Sequence, residues 1–123
     1  MGYTTTFVGQ VSIQPPLSLE DYQELKQLAE CEPGKVEEDE SLPVPPDTYC
    51  QWVPTPQGDA LKWDHEEKFY DSVEWMTYIT AKLAARGYVC NGEIRASGEE
   101  SGDLWTLVVK DNSVSRREAT VNW

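Results

Sequence analysis

Between Cys31 and Thr48 the chain carries Pro33, Gly34, Pro43, Pro45 and Pro46, with Glu37-Glu38-Asp39-Glu40 in their midst. Proline lacks a backbone donor and fixes φ, so neither a helix nor an interior strand can cross this stretch, and a run of carboxylates resists burial. Residues 31–48 are therefore expected to form a long acidic loop. Regular structure has to come from the residues on either side of it.

Before the loop, Tyr3, Thr5, Phe7, Gly9, Val11 and Ile13 alternate with mostly polar neighbours, the period of a half-buried strand. Pro15 and Pro16 end that strand. Ser18, with Asp21 three residues on, reads as a helix cap, and Leu19, Tyr22, Leu25 and Leu28 then recur at helical spacing, which predicts a short amphipathic helix to about Glu30. After the loop, Tyr49–Val53 and Ala60–Trp63 flank a turn-rich Pro54–Asp59, a hairpin pattern in which Pro54 favours an edge. A main helix from Asp71 or Ser72 carries Val73, Met76, Ile79 and Leu83 on one stripe and stops at Gly87. Its second stripe, Trp75, Tyr78 and Lys82, suggests that more than one face is covered. Alternation resumes at Tyr88, Cys90, Gly92, Ile94 and Ala96, and turns at 99–103 and 111–113 then set off strands over 104–110 and 114–123. Hairpin-length connections around two helices imply an α+β fold: a mostly antiparallel sheet of about six strands, one main helix packed on it and a shorter N-terminal helix.

At 123 residues, with 39% hydrophobic and 11% aromatic side chains, the chain is sized for a single domain spanning 1–123 and is rich enough in apolar groups to fold. Its 22 Asp and Glu against 10 Lys and Arg give a net charge of -12, which repels phosphate backbones and anionic lipids, so neither nucleic acid nor membrane is an expected direct partner. Cys31, Cys50 and Cys90 form no Cys-x-x-Cys pair, which fits a reducing cytoplasm better than a disulfide framework or a zinc site. No apolar run approaches the roughly 20 residues of a membrane span. The start, Met1–Thr6, formally matches a myristoylation pattern but reads as the approach to a strand.

Chemistry-bearing motifs are sparse. His65 is the single histidine, and the carboxylates of Asp64, Glu66 and Glu67 beside it in sequence do not converge on one atom merely by adjacency. Asp64 and Glu67 could pair as acid and base, but 22 acids supply such pairs anywhere. No nucleophile elbow and no phosphate-binding loop is present, so no catalytic residue, metal ligand or cofactor is assigned. Trp52, Trp63, Phe69, Tyr70, Trp75 and Tyr78 fall within 27 residues. Of these, Trp52, Trp63, Tyr70 and Trp75 would line a pocket for a planar, nucleotide-like ligand if they are not simply core.

The blocks Cys50-Gln51-Trp52-Val53-Pro54-Thr55, Trp63-Asp64, Glu67-Lys68-Phe69-Tyr70-Asp71, Glu74-Trp75-Met76, Tyr78-Ile79, Asn91-Gly92-Glu93-Ile94 and Gly98-Glu99 carry a further signal. In these the chain resembles a family of small uncharacterised proteins of bacteria and their phages. His65-Glu66 stands where that family usually has glycines. The resemblance implies one domain in the cytoplasm of a bacterial host cell and brings no activity with it.

Residues 20–47 hold ten acids and two bases, a balance of -8. Such a patch can imitate a phosphate array and occupy a basic groove. The expected function is therefore a small, acidic, non-enzymatic interaction protein of phage type, which inhibits a basic nucleic-acid-handling defence protein of the host. Glu20, Asp21, Glu24, Glu37, Glu38, Asp39 and Glu40 are its expected contacts. A small-ligand binder or enzyme built on the aromatic region is the alternative.

Overall fold

The computed structural model describes residues 3–118. Within them the elements run β1 (Thr6–Gln14), α1 (Leu19–Glu30), β2 (Trp52–Pro54), β3 (Ala60–Trp63), α2 (Ser72–Ala84), β4 (Val89–Ser97), β5 (Leu104–Lys110) and β6 (Ser113–Glu118). The strands form one sheet in the order β2-β3-β1-β4-β5-β6, and every neighbouring pair is antiparallel. The fold is α+β, as the alternating segments around two helical ones predict.

Burial follows the sequence periods. In β1, Phe7, Val11 and Ile13 are buried while Val8 and Gln10 face out; in β4, Cys90, Ile94 and Ala96 are buried. Met76, Ile79 and Leu83 of α2 are buried against this face and Val73 packs half-buried at its margin. Gly87 takes the left-handed conformation that ends helices (φ +88), and Tyr88 N–H donates back to Leu83 O at 3.0 Å. The second stripe of α2 is covered too. Trp75 Nε1 donates to Thr48 Oγ1 at 3.1 Å, and Tyr78 is buried, edge-on to Trp75 at 5.8 Å, lining one depression with Leu28, Cys31 and Val36.

Phe7 is the hub of the core. Its ring meets Trp52, Trp63, Phe69 and Trp105 edge-on, at centroid distances of 5.1, 5.5, 5.8 and 6.0 Å. That arrangement sets the positive ring edge against the negative ring face, the favoured aromatic geometry. Pro54 does lie on an edge strand, where its missing N–H costs no ladder bond.

The structure departs from the sequence reading at several points, among them the second strand, which runs over Trp52–Pro54 and not Tyr49–Val53. The first strand begins at Thr6, not Tyr3, because the Tyr3 hydroxyl is engaged with the β4–β5 turn: it donates to Asp103 Oδ2 at 2.6 Å and accepts from Glu100 N–H at 2.9 Å. Leu19 is 73% exposed, since it opens α1 on the side away from the sheet, and Leu25 is the buried member of that stripe. The last strand starts at Ser113, and the part of it expected over 119–123 lies outside the described residues, as do Met1 and Gly2.

All three cysteines are free; Cys50 and Cys90 are buried and Cys31 half-buried. Burial pushes the Cys50 thiol up to about 12 and the Cys90 thiol up to about 11. An aromatic disulfide reagent is expected to titrate one thiol, Cys31, readily in the native protein and all three after unfolding; two fast native thiols would contradict this packing.

Candidate functional site

The acidic segment divides into two chemically different parts. On α1, Asp21 and Glu24 turn toward the C-terminal end of α2. Asp21 Oδ1 lies 2.6 Å from Arg86 Nη1, and its Oδ2 accepts from the Tyr88 hydroxyl at 2.6 Å and from Ser18 Oγ at 3.0 Å. Glu24 Oε2 pairs with Lys82 Nζ at 2.6 Å and Arg86 Nη2 at 2.9 Å. These carboxylates clamp α1 to α2, with the cations placed where the α2 dipole favours them. Asp21 and Glu24, expected as partner contacts, are thus engaged internally, by Arg86, Lys82 and the Tyr88 hydroxyl far along the chain. Glu20, on the same helix, is exposed.

The electrostatics agree with the geometry. The Tyr88 hydroxyl holds the Asp21 carboxyl below the ordinary carboxylate range, aided by Ser18 and Arg86 and opposed by burial. Burial works to raise Glu24, but the hydrogen bonds from Lys82 and Arg86 outweigh it and leave its pKa lowered. A carboxyl whose folded pKa is depressed stabilises the fold fully above its unfolded pKa, and that contribution is lost as pH falls through the folded value. Tyr88→Phe is expected to bring the Asp21 titration up toward the ordinary range and to shrink the acid-sensitive part of stability that Asp21 contributes. Carboxyl NMR titration checks this, and an unmoved Asp21 would show that the hydroxyl is a bystander.

In the loop, Glu37, Glu38, Asp39 and Glu40 are all exposed, and no ion pair among the described residues holds any of them. The run is bracketed by Val36 and Leu42, which pack half-buried against the core. Asp39 turns the chain: its Oδ1 accepts from Ser41 N–H at 2.9 Å and Ser41 Oγ at 2.7 Å, which lowers its pKa, and its carbonyl accepts from Leu42 N–H at 2.9 Å. The segment is thus a proline-bounded arch with its carboxylates outward.

The aromatic candidates do not come together as a pocket. Trp52 and Trp75 are fully buried and Trp63 is 8% exposed, with their indole N–H groups satisfied by Ser72 O, Thr48 Oγ1, and Gln51 Oε1 with Glu66 O respectively. Tyr70 is 46% exposed. Trp52 and Trp75 are core packing, Trp63 lies at the core's margin, and the four rings Trp52, Trp63, Tyr70 and Trp75 do not share one pocket.

His65 is exposed, with its ring tilted against Trp63 at 4.9 Å. Asp64, Glu66 and Glu67 border one depression with Tyr49 and Gln51, and burial raises the Asp64 pKa. Among the described residues no group of three His, Cys, Asp or Glu is arranged to hold a metal ion. The residues that sequence reasoning missed are Arg86 and Tyr88, which claim two of the acids. The one local hint was a cation in the last turn before a helix-ending glycine. No helix among the described residues is long and apolar enough to cross a membrane. No protein-family model, curated protein or solved structure matches the chain.

Proposed function

We propose that this chain is a small non-enzymatic interaction protein that presents carboxylates to the basic groove of a nucleic-acid-handling protein, in the manner of a phage inhibitor of a bacterial host's defence. The outward Glu37–Glu40 run carries the reading. Four adjacent acids that no ion pair among the described residues ties down, held on an arch whose ends are pinned, offer a partner a charge array at little ordering cost. Asp21 and Glu24 leave the contact set, and Glu20 remains as the α1 contribution.

Attraction of this kind weakens with salt, because each carboxylate in contact replaces a phosphate of the nucleic acid the groove normally holds. The test retains proteins from a bacterial lysate on the immobilised chain at low and at high salt, with a variant carrying Glu37→Gln, Glu38→Gln, Asp39→Asn and Glu40→Gln alongside. The expected result is a set of nucleic-acid-binding proteins held at low salt, displaced by added DNA, and lost from the variant. Stability should barely change, since exposed charges contribute little to it. An identical retained set for the variant would refute the proposal for this loop.

A further inference from the structure

Ile13 N–H donates to Asp59 O at 2.8 Å, so the odd-numbered residues of β1 aim their backbone groups at β3. The β1–β3 ladder holds Val11 opposite Leu61 and Ser12 opposite Ala60, and there it stops. Continued in step, it would set Gly9 opposite Trp63 and Phe7 opposite His65. On its other side β1 stays paired with β4 over all nine of its residues. Two backbone features open the slot: Gly9 bends β1 at φ +116, and His65 turns the chain away from the sheet at φ +69. As a result Gly9 is exposed although β1 is the third of six strands.

The slot is a cleft of about 440 Å³, lined by Phe7–Gln10 of β1 and by Lys62, Trp63 and His65, with the Phe7 and Trp63 rings in edge-on contact at 5.5 Å. No carboxylate lines it, in a chain with 22 of them. The outer edges of the sheet are guarded in the usual ways, by Pro54 on a three-residue β2 and by Arg116, Arg117 and Glu118 on β6. The β1 edge has no such guard.

We infer that this slot is a strand-addition site, in which a short extended peptide takes the line that β3 abandons. The peptide pairs with the backbone of Gly9 and Phe7, lays an apolar side chain over the Phe7–Trp63 ring pair, and sets an acidic group against Lys62. Main-chain bonds supply affinity in this mode, and the side-chain pockets and charge supply selectivity. The site is independent of the acidic arch.

Two measurements test it. In the free protein, backbone hydrogen exchange at Phe7 and Gly9 is expected to run about a hundredfold faster than at Val8 and Gln10, whose N–H groups face β4. Equal protection would mean that the edge is already filled and would overturn the inference. Second, a phage-displayed library of random heptapeptides is selected on the chain. The expected winners alternate β-branched residues with Asp or Glu, protect the Phe7 and Gly9 amides when added as synthetic peptides, and bind at least tenfold more weakly to Lys62→Glu. The variant neutralised at residues 37–40 should bind them as the parent does, which separates this site from the proposed partner surface. No enrichment, or binders whose amide changes lie away from Phe7–Gln10, would refute it.

Discussion

Trp52→Ala is expected to lower the free energy of unfolding by about 3–5 kcal/mol, a large share of what a single domain possesses. The indole is 1% exposed and packs edge-on against Phe7 at 5.1 Å and Phe69 at 4.9 Å, so its removal leaves a hole that those rings cannot close without losing each other. It also carries a tie: Nε1 donates to Ser72 O at 2.8 Å, joining the edge strand β2 to the first turn of α2. Trp52→Phe keeps most of the ring packing and loses that bond, and should cost about 1–2 kcal/mol. Urea denaturation of the two variants separates the terms. A Trp52→Ala loss under 1 kcal/mol would mean that the core is drawn wrongly around Phe7.

Gly92→Ala should be comparably damaging, at about 3 kcal/mol or more, for a reason unrelated to cavities. A Cβ built on Gly92 falls 2.6 Å from Gln10 O and 2.8 Å from Val11 Cα, and both are backbone atoms of the paired strand that cannot swing aside. Gly9 answers it across the ladder, with its own Cβ position 2.7 Å from Glu93 O. Gly87 supplies the control. Its φ of +88, like Gly92's +157, is one that L residues rarely adopt, but nothing lies within 4 Å of its Cβ position, so Gly87→Ala should cost only about 1 kcal/mol of conformational strain. Thermal or urea unfolding of the pair reads the clash directly, and equal losses would show that strain, not contact between β1 and β4, makes these glycines necessary.

What the sequence disclosed is what a local period can encode. Phe7, Val11 and Ile13 alternate because one face of β1 is buried, and Met76, Ile79 and Leu83 repeat because one face of α2 is; each pattern is complete within a dozen residues. The acidic groups carry no comparable local mark. Asp21 and Glu24 look like Glu37 and Glu38 in sequence, and what separates them is Arg86, more than 60 residues away, which only the folded chain brings within 3 Å. The aromatic block was ambiguous for the same reason. Phe69 and Tyr70 are neighbours, yet one is core and the other solvent-facing, because left-handed backbone at Lys68 and Asp71 (φ 60 at each) steers the connection that bears them.

Val36 and Leu42 have a consequence for how the acidic arch can change over generations. They act as two studs, and the chain between them keeps its course by what happens at its ends and at the Asp39–Ser41 turn. Glu37, Glu38 and Glu40 are then free to be exchanged without touching the core, so new charge patterns on this arch arise one substitution at a time at almost no thermodynamic penalty. A surface of that design can drift through many charge patterns while the sheet and helices beneath it stand still.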